Sequence, residues 1–216
     1  VEILTDIDQG QAQSGVKRQR LTDRAKGDYL TFVDDDDWIS ESYVAYLVQA
    51  CRKAPDVVTF DCVMTIDGRQ ERKFRFGFVS DDIHKGRMFA NHLCAWRAEI
   101  ARLVPWCPNL GYGDDQLWYK PLIAAGVWNE CYVPRVLYDY RFSRNVTANQ
   151  TTQRIEESRR YFGSGLRCFV RGDGQIYIEV GGRGREEHHV SVRNSRNEVS
   201  RFEVGELMEL RTVKLV

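Results

Sequence analysis

Along the first three quarters of the chain, short apolar runs alternate with polar, glycine-bearing breaks, the arrangement expected of an α/β fold. Residues 1–4 read as a strand with no cap or turn before it. After a polar loop over 9–15, Val16, Leu21 and Ala25 fall at helical spacing among basic residues, and Lys26, Gly27 and Asp28 stop that helix. Residues 29–33 (YLTFV) form a short β-rich run of the kind buried on both faces of a sheet, and it ends abruptly in four carboxylates. Ser40 opens an N-cap region for an amphipathic helix over 43–53. A strand over 56–64 leads through the hairpin-type turn of Asp67 and Gly68 into a second strand over 73–78. Residues 88–103 hold a short strand and a helix, 105–113 a loop, 114–125 a helix and 133–140 the last core strand. Beyond Phe162 the rhythm changes, and segments 175–180, 189–193 and 199–204, divided by Gly and Asn turns, predict a small antiparallel β appendage. The expected domains are 1–162 and 163–216.

Composition narrows the partners. With 216 residues, 43% of them apolar, the chain can bury a core. Lys+Arg and Asp+Glu balance at 31 each, so no global field draws it to nucleic acid or to an anionic membrane, and an anionic partner must be held locally. No apolar run reaches the roughly 18 residues of a membrane span, and the opening VEILTDIDQGQ is not a secretory leader; the expectation is a soluble, cytoplasmic protein. The six cysteines are scattered without a C-x-x-C pair and read as reduced core thiols. Without a leader, the sequons at Asn145 and Asn149 carry little meaning.

The chemistry concentrates at Asp34, Asp35, Asp36 and Asp37. Four adjacent carboxylates repel one another, and a nearby positive charge is expected. Ligands bind at the carboxyl ends of strands in open α/β sheets, and hard oxygen ligands suit Mg²⁺ or Mn²⁺ bridging a nucleotide's phosphates. The plainer alternative is a solvated acidic loop; the apolar strand before it and Trp38 and Ile39 after it argue against that. A second acidic pair, Asp114 and Asp115, opens the helix over 114–125, where the helix dipole favours negative charge. One of them can serve as a general base; the alternative is that Asp114 caps the helix.

With G-V-K-R-Q-R-L from Gly15 and A-K-G-D-Y-L-T-F-V-D-D-D-D-W from Ala25, the chain resembles the family 2 glycosyltransferases, which carry a basic helix, an A-x-G-[DE]-Y turn and a D-x-D-D motif. G-Y-G-D-D-Q-L-W from Gly111 resembles that family's G-[ED]-D motif, and Y-D-Y-R from Tyr138 its aromatic-Tyr-Arg segment. The resemblance implies a GT-A, Rossmann-like mixed sheet flanked by helices. It implies inverting transfer of a sugar from a UDP- or GDP-linked donor to a hydroxyl acceptor, assisted by Mn²⁺ or Mg²⁺. It implies that Asp34 contacts the nucleotide, with Asp35 beside it, that Asp36 ligates the metal, that Lys17 and Arg18 flank the nucleotide, and that Asp115 is the base with Asp114 orienting it. Arg141 is a candidate diphosphate clamp, Asp6 (or Asp8 in its place) a nucleotide contact, and Trp118 and His92 acceptor contacts. Each has a plainer alternative: a solvated helix face for Lys17 and Arg18, a surface ion pair for Arg141, core packing for Trp118.

The family's usual opening, an apolar strand with a P-T-[YF]-N-R type loop, is not found; residues 1–8 look like its second strand, so the first βα unit is expected to be missing or supplied by another chain. Two other readings stay open. Paired aspartates after a strand also serve nucleotidyl or phosphoryl transfer. The tail arginines (Arg167, Arg171, Arg183, Arg185, Arg193, Arg196, Arg201) suit a DNA- or glycan-binding module whose acceptor is a hydroxylated DNA base, although Glu186, Glu187, Glu203 and Glu206 dilute that charge.

Overall fold

The computed structural model describes residues 1–78, 85–108, 113–125 and 129–143, and the backbone of five strands between 166 and 213. In chain order the elements are α1 (Ser14–Arg24), β1 (Tyr29–Leu30), β2 (Trp38–Ile39), α2 (Tyr43–Cys51), β3 (Val57–Ile66), β4 (Arg69–Gly77), β5 (Arg87–Phe89) and β6 (Ala95–Arg97). There follow α3 (Ala98–Ala101), α4 (Asp114–Ala125), β7 (Glu130–Phe142), β8 (Leu166–Val170), β9 (Ile176–Glu179), β10 (His189–Arg193), β11 (Val199–Glu203) and β12 (Met208–Val213). They fall into two compact units: a first of Val1–Gly27, Glu99–Gly126 and Thr151–Val216, and a second of Asp28–Ala98 and Val127–Gln150.

The second unit is a mixed sheet centred on β3. That strand pairs in parallel with β7 on one side and antiparallel with β6 and then β4 on the other. Its first six residues, Val57 to Cys62, are all buried, as a strand flanked on both edges and covered on both faces requires. β4 has one wet face instead: Phe74 and Phe76 are buried while Lys73 and Arg75 are exposed. The hairpin between them turns on Asp67 and Gly68, at φ 49° and 80°, the left-handed pair that this dipeptide predicts. Tyr43 of α2 meets Phe60 edge-on at 5.8 Å, and Phe60 meets Phe76 likewise at 5.5 Å, so helix and strands share one aromatic core. The expected mixed α/β sheet with flanking helix is present.

One expectation needs correction here. The run before the aspartates is a strand only over Tyr29–Leu30, and Val33 is 46% exposed, so it is not buried on both faces. β1 is a two-residue edge strand whose ladder partner is β6, and Val33 lies beyond it, in the segment that leads into the acidic turn. The helix α2 starts at Tyr43 as expected, and its N-cap is Ser42, inside the cap region that Ser40 opens; Ser42 makes no side-chain cap bond, and the Ser40 carbonyl takes the Tyr43 amide. β7 also carries a large irregularity: Phe60 faces Val133, but Asp61 faces Val136 and Cys62 faces Tyr138. Pro134, Arg135 and Leu137 are thereby skipped, an odd number of residues, which exchanges the two faces of the strand. Proline lacks the amide that an unbroken ladder needs at that point.

In the first unit, α1 meets α4 across Gly15, where a Cβ would stand 1.9 Å from the Cys107 carbonyl oxygen. Residues 1–4 are not a strand: no ladder partner is found for them among the described residues, and Val1 and Ile3 are almost fully exposed. The tail forms a five-stranded antiparallel sheet in the order β11-β10-β9-β8-β12, with α4 against β8, β9 and β12. β9, β10 and β11 match the three predicted segments, and β8 and β12 are additional. Among the described residues no helix is long and apolar enough to cross a membrane. Cys51, Cys62, Cys94, Cys107 and Cys131 are free thiols, and the Cys168 side chain lies outside the described residues.

Candidate functional site

The acidic run of the second unit is a tight turn between β1 and β2, closed by the Asp37 amide donating to the Asp34 carbonyl at 3.2 Å. Its approach is fixed from both sides. The Phe32 amide donates to the His92 carbonyl at 3.1 Å, and the Thr31 hydroxyl, in contact with Tyr43 Oη at 2.7 Å, donates to the Leu93 carbonyl at 2.9 Å.

The four carboxylates have different surroundings. Asp34 Oδ2 lies 3.1 Å from Nε2 of the buried His92, and its amide donates to the Tyr138 hydroxyl at 3.1 Å. Asp35 and Asp36 are exposed. The Asp36 carboxyl is nonetheless raised above its ordinary value, first by partial desolvation against the protein and then by the charges of Asp34 and Asp35. Asp37 is buried; its Oδ2 accepts from the Tyr138 hydroxyl and its Oδ1 from the Arg141 amide, both at 2.7 Å. Burial, more than the neighbouring Asp34 and Asp36, lifts it to about 7 against the pull of those two donors. Tyr138 is pushed far up by burial and by the same carboxylates, so its hydroxyl keeps its proton and donates. The Arg141 guanidinium stands over the exposed Trp38 ring, 5.3 Å from its centroid.

Among the described residues no three His, Cys, Asp or Glu side chains converge as a metal cage. Mg²⁺ and Mn²⁺ with a nucleotide do not require one, since one or two carboxylates and the phosphates commonly complete their shells. Asp36, exposed and crowded by like charges that a cation would offset, fits that role.

The second acidic pair lies in the first unit and has its own surroundings. Gly113, at φ 75°, takes a left-handed conformation that favours glycine and turns the chain into α4. Asp114, buried, binds Arg18 of α1 through Oδ2 and Nη1 at 2.8 Å. That guanidinium lies over the Trp106 ring at 5.3 Å, and Trp106 stacks on Trp118 at 4.7 Å with the rings 6° from parallel. Trp118 is 1% exposed and donates Nε1–H to the Ala101 carbonyl, so the core-packing alternative describes it, and it offers no open face to a sugar. Asp115, beside it on α4, is half-buried. Lys17 pairs with Asp8 at 3.0 Å, and Asp6 with Arg20 at 3.6 Å.

Asp34, Asp36, His92 and Arg141 thus belong to one turn and its neighbours, whereas Lys17, Arg18, Asp6, Asp114 and Asp115 belong to α1, its approach and α4. In the sequence Tyr138 is only the first residue of the Y-D-Y-R segment, and neither its contact with the turn nor the supporting role of Asp37 is apparent there. Gly111, Tyr112, His84, both sequons and the side chains of the tail arginines lie outside the described residues.

The family model "Glycosyl transferase family 2" matches residues 7–95. No curated protein sequence matches significantly. Among solved structures, S. aureus TarS 1–349 is 16% identical over 60% of this chain and 40% of its own, with a TM-score of 0.49. The same protein in complex with UDP matches at 16% identity over 61% and 41%, TM-score 0.49, and S. aureus TarS at 14% over 64% and 26%, TM-score 0.48. The chain spans well under two thirds of the length of these matched chains. The match to glycosyl transferase family 2 thus covers the stretch that carries α1, the acidic turn and the hairpin of β3 and β4.

Proposed function

We propose that the protein transfers a sugar from a nucleoside-diphosphate donor, UDP- or GDP-linked, to a hydroxyl acceptor with inversion, assisted by Mn²⁺ or Mg²⁺. The observation that carries this reading is the acidic turn inside the family-matched stretch, where Asp36 is left exposed and crowded by like charge while Asp34 is held from two sides. A divalent cation there would offset the diphosphate charge that develops as the donor bond breaks. Asp34, fixed by His92, is assigned to the nucleotide, with Asp35 beside it. Arg141, a planar cation on the strand next to the turn, suits diphosphate oxygens. Asp115 is assigned as the base that takes the acceptor hydroxyl's proton, and Asp114, bound through Oδ2 to Arg18, as the residue that orients it.

The test is release of free nucleoside diphosphate from a panel of UDP- and GDP-sugars, with and without Mn²⁺ or Mg²⁺. Turnover is expected with at least one donor and is lost on chelation. Asp36→Ala is expected to lower it on the order of a hundredfold or more. Pyrophosphate release in place of nucleoside diphosphate would point to nucleotidyl transfer, and no binding of any donor would overturn the proposal.

A further inference from the structure

We propose that Tyr138 is a positioning residue for the acidic turn, and that Asp37 is its partner in a brace and not a ligand for metal or nucleotide. The purpose assigned to the brace rests on the glycosyl-transfer reading; its existence does not.

One phenol hydroxyl, 1% exposed with its ring, accepts the Asp34 amide and donates to the Asp37 carboxylate, so the two ends of the turn are tied through a single oxygen. The other Asp37 oxygen takes the Arg141 amide of the same strand. Both oxygens of Asp37 are therefore occupied by donors of β7, which leaves it poorly disposed toward a cation. Asp35 and Asp36, between the tied ends, are the members left facing solvent. The ring itself is placed by the β7 irregularity, which brings Tyr138 opposite Cys62, and by pairing of the same residue with Ile39 of β2. Removing the hydroxyl leaves the Asp34 amide and the buried Asp37 without that shared partner, and the turn loses its fixed geometry while the ring still fills the core.

Tyr138→Phe in the full chain tests this. NMR-resolved amide exchange is expected to accelerate at Asp34 and Asp37, with the rest of both units and the thermal midpoint little changed. The Mn²⁺ concentration needed for UDP binding by calorimetry is expected to rise on the order of tenfold, the loss of one hydrogen bond to a charged group. Asp36→Asn is the contrasting variant: Mn²⁺-dependent binding lost, exchange at Asp34 unchanged. If Tyr138→Phe does not fold, Asp37→Asn is read in the same way and is expected to accelerate the same amides. Exchange at Asp34 identical to wild type overturns the brace, as does a uniform acceleration that follows a lowered midpoint. If wild-type protein shows no Mn²⁺-dependent UDP binding, the transfer reading is what fails, and the exchange comparison still decides the brace.

Discussion

Four aspartates in a row occupy four environments, and their partners set the difference. Asp34 meets a histidine, Asp35 and Asp36 meet water, and Asp37 meets a tyrosine and a backbone amide. The run itself is plain in the sequence; the partners are not, because His92 and Tyr138 lie 58 and 104 residues away along the chain. The same holds for Arg18 and Asp114, 96 residues apart, whose pairing spacing alone does not reveal. With side chains only 13% and 5% exposed, that pair is enclosed, and truncating one partner strands a buried charge. Arg18→Ala is therefore expected to destabilise the protein by about 3 kcal/mol in urea unfolding. The double change Arg18→Met with Asp114→Leu is expected to cost less than the single one, because it removes both charges; an equal or larger cost would show that the charges matter through some other contact.

Elements whose signals are local were legible. The Asp67-Gly68 turn, the start of α4 at Asp114 and the strand β10 lie where the sequence places them, since turn chemistry, helix-dipole preference and alternation act over a few residues. The β7 irregularity was not legible: β-strand patterning assumes a constant register, and the three skipped residues appear only once β3 is alongside. Gly15 opens the basic-helix motif, yet its reason is close approach to the Cys107 carbonyl. Gly15→Ala is expected to push α1 off that carbonyl and to cost at least about 2 kcal/mol, measurable as a lowered urea midpoint, although alanine is the better helix former in isolation. The approach to α1 is held by Asp8, whose carboxyl is kept down at about 2 by the Ala12 amide, Lys17 and the Gly10 amide. A depressed folded-state value means that the unfolded chain binds the proton first as pH falls. The contribution of Asp8 is thus complete above about pH 4 and lost toward pH 2. In Asp8→Asn, the decline in stability across that window is expected to be shallower than in wild type by acid titration of the unfolding midpoint.

For the chain as a whole, zero formal net charge means that affinity for an anionic donor must come from a few placed groups and not from a general field. Salt is accordingly expected to weaken nucleotide binding modestly at most, in contrast to the steep dependence of a polyanion-binding surface. The α/β alternation and the β-rich tail were readable from rhythm, and the mixed sheet was implied by the family resemblance, whereas the grouping of residues 1–27 and 99–126 with the tail was not readable, because it depends on contacts between distant segments. Metal-assisted donor binding at the acidic turn is tested by calorimetric titration of UDP into the full chain, with and without Mn²⁺, in wild type and Asp36→Ala. Binding is expected to need Mn²⁺ in the wild type and to be lost in the variant. UDP binding that is indifferent to both Mn²⁺ and Asp36 would contradict that role of the turn.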